Sequence, residues 1–287
     1  MRYAIIFSLC MLQFSCDETA PVQPDIPDTE YCFFVAGHTY GKPLVDNIGF
    51  HPPFKKKFDL IHQRKARFGI LTGDIVIGST KQNWDEIDQD IDSLGLPVYF
   101  AVGNHDMTDR ALFETRYGDT YYSFKQNDDL FIILDPNLDH WNISGDQWQF
   151  FEATITRQKD SCDIVFVFFH QLLWWQEDNR YQNVIPNFTG GRGDSINFWT
   201  EVEPLLHTLD HRVILFAGDV GAASWSADYM YDSYDNITFI ASGMGEGDGD
   251  NFIIVRVGAD KTVDYELIAL IGDDIHALGD LTDYTLP

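Results

Sequence analysis

From residue 31 onward, short apolar runs recur along the chain, and each is followed by a glycine or a polar side chain. Runs of this length, rich in Val, Ile and Phe and flanked by Gly or charge, predict buried strands. Helical segments connect them, so the pattern indicates an α/β protein. The five clearest runs are 31–36, 68–72, 98–102, 164–169 and 213–217.

Other segments complete this pattern. Residues 83–94 carry apolar positions at helical spacing, and Ser144 with Gln147 predicts a capping box at the start of a second helix. The strand-like segments 121–124 and 130–135 are joined by a short polar stretch, which predicts a hairpin. Further strands are predicted at 238–241, 252–257 and 263–270.

A side chain able to bind a metal follows each of the five runs. Taken singly, each is more typical of an ordinary turn or a hydrogen-bonded core histidine. Ligands in open α/β sheets gather beyond the carboxyl ends of strands, so their joint occurrence favours one site. A mixed oxygen and nitrogen donor set suits Mn, Fe, Zn or Mg. The residues are His38, Asp74, Asn104 with His105 and Asp106, His170, and Asp219.

A glycine precedes four of these polar ends. Glycine adopts positive φ without a steric penalty, so we expect the backbone to turn sharply just before each polar side chain. The positions are Gly37, Gly73, Gly103 and Gly218.

Two of these elements, Gly73-Asp74 and the run from Gly103 to Asp106, resemble motifs of the calcineurin-like metallophosphoesterases. The order of strands, hairpin and helices extends the resemblance over about residues 31–258. The resemblance implies a two-sheet αββα sandwich that holds metal ions between strand ends. It also implies hydrolysis of phosphate monoesters or diesters.

The resemblance assigns a role to each matching residue. Asp74 corresponds to the metal-bridging carboxylate, and Asn104 and His170 correspond to ligands of the second metal. His105 corresponds to the residue that protonates the leaving group or steadies the transition state. Asp106 is expected to orient the imidazole of His105, as carboxylates commonly do.

Two motifs depart from the family pattern. The first family motif is an aspartate and a histidine separated by one residue, and this chain has His38-Thr39-Tyr40 at that place. The last family motif is a glycine followed by two histidines that are separated by one residue, and this chain has Gly218 to Gly221 there. Two histidines of the first metal are thus replaced by Tyr40 and Gly221. Asp219 stands in place of a histidine of the second metal. We predict one tightly bound divalent ion and a weak second one that uses His38; alternatively, His38 only hydrogen-bonds near the site.

The charge of the chain limits its partners. Lys and Arg number 19 against 45 Asp and Glu, a formal net charge of −26, which opposes binding to nucleic acid or to an anionic membrane surface. A phosphate-ester substrate would need help from a bound cation. Arg180 and Arg192 are candidate phosphate clamps, with solvated arginines as the alternative, and His51 is a further candidate. The tryptophan-rich stretch 171–200 could wall the substrate pocket.

The N-terminus predicts export. Arg2 precedes an apolar stretch that is too short to span a membrane and that ends at Cys16. This segment resembles a bacterial lipoprotein signal, in which the cysteine is acylated after cleavage. Cleavage near this point without acylation is the alternative. Residues 1–16 are then the leader, 17–30 a flexible tether and 31–287 a single domain. The protein is expected in the periplasm or on the outer surface, held to the membrane only by its lipid anchor.

Two further features are interpreted as structural. Cys32 and Cys162 make no disulfide framework and are predicted to be small apolar residues near strand starts, with a single bridge as the alternative. The acidic segment 243–250 lacks the spacing of a calcium loop and is interpreted as a mobile acidic turn.

The leading expectation for function is a metal-dependent phosphoesterase. A rival interpretation is a pseudoenzyme, an anchored binding protein that kept the fold after losing the first metal. A third is hydrolysis of an ester without phosphate.

Overall fold

The computed structural model describes residues 29–42, 48–245 and 247–287. The predicted leader, Cys16 and most of the tether lie outside these residues. The described part contains eleven strands and six α-helices. None of its helices has the length and apolar character needed to cross a membrane.

The strands have the following bounds: β1 Tyr31–Ala36, β2 Phe68–Thr72, β3 Val98–Ala101, β4 Tyr122–Gln126, β5 Asp129–Ile133, β6 Ile164–Phe168, β7 Arg212–Ala217, β8 Tyr229–Tyr234, β9 Ile237–Ser242, β10 Asn251–Val257 and β11 Val263–Ala269. The helices are α1 Pro52–Lys55, α2 Phe58–Gln63, α3 Lys81–Leu94, α4 Arg110–Tyr117, α5 Gly145–Gln158 and α6 Glu203–Leu206. Short 3₁₀ segments and one π-helical turn, Phe198–Val202, complete the connections.

The strands form two sheets. The first has the order β11-β10-β1-β2-β3, in which β1, β2 and β3 are parallel neighbours and β10 and β11 are antiparallel. The second has the order β4-β5-β6-β7-β9-β8, in which the central neighbours from β5 to β9 are parallel. Parallel strands buried on both faces explain the nearly continuous apolar runs in the sequence.

The two sheets pack face to face through a layer of aromatic and aliphatic side chains. Phe33 and Ile70 of the first sheet meet Phe131, Phe166 and Phe168 of the second. The Phe33 ring lies edge-on to Phe166, with centroids 5.3 Å apart, an arrangement that the ring quadrupoles favour. This layer brings the strand ends of the two sheets to one edge of the sandwich.

The helices cover the outer faces of the two sheets. Phe54 of α1 and Trp84 of α3 pack on Phe34 and Leu71 of the first sheet. Phe151 of α5 packs on the outward residues of the second sheet. The architecture is therefore the αββα sandwich that the resemblance implied.

The predicted strands and the two predicted helices are confirmed, but helices α1, α2, α4 and α6 were not predicted, and two further differences stand out. Strand β8 was missed because it is an edge strand whose residues are only partly buried, so it lacks an apolar run. The capping box is wrong: Ser144 precedes α5, but its hydroxyl donates to Asp139 at 2.6 Å, while Gln147 bonds the backbone of Asp135. Cys32 and Cys162 are buried and unpaired.

Candidate active site

The five predicted polar ends meet at the edge of the sandwich where β1, β2, β3, β6 and β7 finish. His38 and Asp74 both have positive φ, 53° and 52°, which is uncommon for residues other than glycine and marks strained loops. The two loops are tied together, since the His38 N–H donates to the Gly73 carbonyl at 2.9 Å and the Tyr40 N–H to that of Asp74 at 3.2 Å.

The glycines at these ends serve close packing more than turning. Only Gly73 of the four has positive φ, 84°, so the expected sharp turn is wrong for the other three. A Cβ atom on Gly218 would lie 2.0 Å from the Thr72 carbonyl oxygen, and one on Gly73 would lie 2.5 Å from Nδ1 of His170. The strand ends of the two sheets approach so closely that no side chain fits between them.

Asp74 is at the centre of the cluster. Its Oδ1 atom accepts the backbone N–H of His105 at 3.1 Å, while Oδ2 lies 3.4 Å from Nε2 of His170 and 3.6 Å from Nε2 of His38. Burial opposes ionisation of this carboxyl group, but the neighbouring imidazoles outweigh burial and hold the pKa of Asp74 below its ordinary value. Asp74 is therefore a carboxylate with one oxygen facing two imidazoles.

The tautomer of His38 follows from its partners. Its Nδ1 lies 3.1 Å from the Met244 carbonyl oxygen, which can only accept, so Nδ1 carries the hydrogen. Burial lowers the pKa of His38 to about 4, so the ring is neutral and Nε2 has a lone pair. This lone pair and Oδ2 of Asp74 face each other, an arrangement that a cation between them would stabilise.

His170 and Asp219 add two buried atoms without hydrogen-bond partners. Nδ1 of His170 donates to the Thr72 carbonyl at 2.8 Å, and Nε2 lies 3.7 Å from Oδ1 of Asp219. Nε2 of His170 and Oδ2 of Asp219 have no hydrogen-bond partner, whereas buried polar atoms normally have one.

The charges of this pair depend on each other. Burial disfavours the imidazolium of His170, but the carboxylates of Asp74 and Asp219 outweigh it and raise the pKa of His170 to about 10. Burial raises the pKa of Asp219 to about 8. The buried cluster of Asp74, His170 and Asp219 therefore retains protons at neutral pH.

Two of the distances between donor atoms are close to those between ligands of one divalent ion. Two ligands about 2.1 Å from a tetrahedral ion lie about 3.4 Å apart, close to the separations of Asp74 from His170 and of His170 from Asp219. Across residues 29–42, 48–245 and 247–287, no three acidic, histidine or cysteine side chains form a preorganised metal centre. The cluster therefore has to tighten slightly when an ion binds.

The structure changes the expected relation between His105 and Asp106. Nδ1 of His105 donates to the carbonyl of Ile77 at 2.9 Å, so Asp106 does not orient this imidazole. The Asp106 carboxylate instead accepts the N–H groups of Gly103, Ile75 and Val76. Burial raises the pKa of Asp106 to about 7, although the hydrogen bonds from the Gly103 and Val76 N–H groups act in the opposite direction. Asp106 thus joins the loops after β2 and β3 and positions Asp74 and His105 through the backbone.

Tyr40 and Gly221 occupy the positions where the family has histidines. Tyr40 is buried, and its ring lies between the imidazoles of His38 and His105, with centroid distances of 4.3 and 5.1 Å. Gly221 has φ of 78°, and a Cβ atom there would lie 2.6 Å from the Gly243 backbone. The present backbone therefore cannot accommodate a histidine at residue 221.

A pocket of about 380 Å³ opens beside the cluster. Its lining includes an exposed lysine, Lys42, together with several apolar side chains. Sequence reasoning missed Lys42 and Trp225, which lie in loops without periodicity, whereas Asn187 and Phe188 belong to the stretch 171–200 that was expected to wall the pocket. The pocket is lined by His38, Tyr40, Lys42, Asp74, Asn104, His105, Asn187, Phe188, Asp219, Ala222, Ala223, Ser224 and Trp225.

Three predicted substrate residues have other partners. Arg180 pairs with Asp232 and lies over the ring of Tyr181. Arg192 lies over the rings of two tryptophans, and His51 Nε2 lies 3.0 Å from Asp250. The structure brings none of Arg180, Arg192 and His51 into the lining of the described pocket. Among the described residues, Lys42 is the positively charged side chain that lines this pocket.

Two other expectations are corrected or refined. Trp174 and Tyr181 are buried in the core beside the second sheet, so the aromatic residues expected to wall the pocket mainly stabilise the fold. In the acidic segment, the buried carboxylate of Asp250 accepts the N–H groups of Gly245 and Gly247. That carboxylate therefore holds the turn in place.

Comparison with known proteins agrees with this geometry. The chain superposes on a dimetal phosphatase from Danio rerio with a TM-score of 0.58 at 12% identity, over 84% of this chain and 96% of that one. It superposes on a purple acid phosphatase from yellow lupin (Lupinus luteus) seeds with a TM-score of 0.59 at 14% identity, over 84% of this chain and 52% of that one. It thus spans about half the length of the lupin enzyme. These likenesses establish the fold.

The sequence comparisons give the family. No curated protein is similar enough in sequence to count as a relative. Residues 38–221, more than half of the chain, match the sequence model of the calcineurin-like phosphoesterases. That range begins at His38 and ends at Gly221, so it spans all the polar ends described above. The chain belongs to the calcineurin-like phosphoesterase family.

Proposed function

We propose that this protein hydrolyses a phosphate monoester or diester with one tightly bound divalent cation. The observation that carries the proposal is the convergence of Asp74, His170 and Asp219, two of which present buried atoms without a hydrogen-bond partner, beside an open pocket. Asn104 lines the same pocket and would supply a fourth donor. A cation bound there would lower the pKa of a water molecule and neutralise phosphate oxygens.

The side chains around the pocket have separate tasks in this proposal. Lys42 would attract and hold a phosphate oxygen, which a strongly acidic protein needs at its substrate site. His105 has its Nδ1–H committed to Ile77, so Nε2 is the nitrogen that would pass a proton to the departing oxygen. Asp106 would keep His105 and Asp74 at a fixed separation through the backbone.

A second candidate is a pseudoenzyme that binds a phosphate ester without turning it over. It is favoured by Tyr40, whose buried ring fills space between His38 and His105, and by Gly221, where the backbone excludes an imidazole. These two positions remove donors only from the first metal of the family. We favour the enzyme because the donors assigned to the second metal converge.

The test combines metal analysis with a substrate screen. Purified protein would be dialysed, analysed for bound metals and assayed against phosphate monoesters and diesters, with Asp74→Asn as the inactive control. Turnover by the wild type that Asp74→Asn abolishes would support the proposal. Stoichiometric metal without turnover of any ester would favour the pseudoenzyme. An ester without phosphate that is turned over faster would indicate another hydrolase.

We also propose that the protein acts in the cell envelope. Residues 1–16 would form a lipoprotein leader, 17–30 a tether and 31–287 the single catalytic domain, with acylation at Cys16. The support is the basic and apolar leader that ends at this cysteine. Cys16→Ser should move the protein from the membrane fraction to the soluble one and remove lipid labelling. Unchanged fractionation of that variant would contradict acylation.

A further inference from the structure

Two aromatic side chains of the active-site pocket are unusually exposed. Phe188 is 58% and Trp225 is 68% accessible, more than the other large apolar side chains in the described residues. Most of the other aromatic rings of this chain pack in its core. Both exposed rings line the same pocket as Asp74, His105 and Asp219. Exposed apolar side chains that line one polar pocket can mark a ligand-binding groove.

Asn187 fixes the two segments that carry these rings. Its backbone N–H donates to the Asp219 carbonyl at 2.8 Å, and its side chain joins the Val220 carbonyl and the Ala222 N–H at 3.0 and 2.8 Å. The indole Nε1 of Trp225 donates to the Asn187 carbonyl at 3.4 Å. The rings are therefore held on a hydrogen-bonded platform that begins at Asp219.

Gly190 determines where the ring of Phe188 lies. A Cβ atom on Gly190 would lie 1.9 Å from Cζ and 2.2 Å from Cε1 of that ring. The tip of the ring thus lies against a position that has no side chain. Gly190 gives a way to displace Phe188 without removing it.

Resting on the proposed function, we propose that Phe188 and Trp225 form a subsite for a planar ring in the organic part of the phosphate ester. The pocket then has three regions: Lys42 for phosphate oxygens, the Asp74 cluster for the reacting group, and the aromatic wall for the ring. Aromatic side chains bind flat rings by stacking or edge-on contact, which gains more than apolar burial alone. The substrate class is an aryl or nucleoside phosphate.

The test uses phosphonates, because their P–C bond is not hydrolysed by a phosphoesterase and binding is measured whether or not the protein is active. Phenylphosphonate, cyclohexylphosphonate and methylphosphonate would be titrated calorimetrically into the manganese-loaded protein. Phenyl and cyclohexyl groups are similar in size, but only phenyl is planar. We expect phenylphosphonate to bind roughly tenfold more tightly than cyclohexylphosphonate, a difference of about 1.4 kcal/mol.

Variants assign the preference to the subsite. Trp225→Ala and Phe188→Ala should each reduce the ratio of phenylphosphonate to cyclohexylphosphonate affinity toward unity. Trp225→Phe should retain most of this preference, because the new side chain is still aromatic. Gly190→Ala should weaken the preference by displacing the ring of Phe188. Leu138→Ala, at an exposed apolar residue outside the pocket lining, should leave the preference unchanged. Thermal melts would confirm that each variant folds.

The outcomes separate this inference from the proposed function. Equal binding of phenylphosphonate and cyclohexylphosphonate, no binding of phenylphosphonate at millimolar concentration, or a preference unaffected in both alanine variants would overturn the subsite. A phenyl preference in a protein that turns over no ester would uphold the subsite and refute the enzyme. Turnover of esters without any ring preference would refute only the subsite.

Discussion

The neutral imidazole of His38 faces the carboxylate of Asp74, with Nε2 3.6 Å from Oδ2, and both residues have positive φ. A lone pair that faces a carboxylate oxygen in a buried site is unfavourable unless a positive charge lies nearby. This charge can come from a proton on His170, whose Nε2 lies 3.4 Å from the same oxygen, or from a bound cation. The position of His38 corresponds to the aspartate of the family motif.

The first prediction concerns metal content. The wild type should retain one divalent ion per chain after dialysis. Asp219→Ala should lower the affinity for that ion by more than about 100-fold, because the substitution removes a direct ligand from a buried cluster. Manganese or magnesium should compete well with zinc, since the site has two carboxylates. Elemental analysis and competition titrations measure both quantities.

His38→Ala is the control for this metal prediction. It should spare the tight ion and remove only a weak second one. Two ions that survive dialysis in the wild type would contradict the assignment and require donors beyond those identified.

The second prediction concerns proton transfer. His105→Ala should lower kcat by roughly 10²–10⁴, the usual contribution of a positioned general acid, while metal content stays near that of the wild type. Steady-state kinetics and elemental analysis on the same preparation test it. His62→Ala, at an exposed helical histidine, should leave kcat unchanged. Loss of the metal in His105→Ala would show that His105 is a ligand instead.

The third prediction concerns the close approach of the two sheets. Gly73→Ala should lower the free energy of unfolding by roughly 2–4 kcal/mol, because the residue has φ of 84° and its Cβ atom would lie 2.5 Å from Nδ1 of His170. Gly272→Ala is the matched control, with φ of 83° but no heavy atom within 4 Å of its Cβ. Gly272→Ala should lower the free energy of unfolding by only about 1–2 kcal/mol. Equal costs in urea denaturation would argue against the packing explanation.

The fourth prediction concerns the pH dependence of stability. Arg64 forms two hydrogen bonds of 2.7 Å with Glu266, and these bonds hold the pKa of Glu266 below its ordinary value. A carboxyl group whose pKa is lower in the folded than in the unfolded state stabilises the fold above its unfolded pKa. This stabilisation is lost as the pH falls through the folded pKa.

Glu266→Gln should therefore lower the free energy of unfolding at pH 7 by about 0.5 kcal/mol, a value typical of a partly exposed pair. The difference between variant and wild type should disappear as the pH falls well below 4. Glu152→Gln, at an exposed position of α5, is the control. Chemical denaturation at several pH values would measure the effect, and a difference that grows toward acid pH would contradict it.

The sequence by itself determined ten of the eleven described strands and the polar residues that follow five of them. Apolar runs such as 31–36 and 68–72 coincide with β1 and β2, because buried parallel strands require apolar side chains on both faces. The carboxyl ends of neighbouring parallel strands lie at one edge of a sheet, so the strand pattern groups Asp74 with Asn104, after β2 and β3, and His170 with Asp219, after β6 and β7.

Only the tertiary structure decided which atoms of these residues meet. His105 bonds Ile77 and not Asp106, Arg180 pairs with Asp232, and Trp225 lines the pocket, because loop side chains are placed by contacts between segments distant in sequence. Such contacts leave no periodicity in the chain. Hydrogen bonds to the Gly73 and Met244 carbonyls therefore fix His38 beside Asp74, and the hydrogen bond to the Asn187 carbonyl places Trp225 at the pocket.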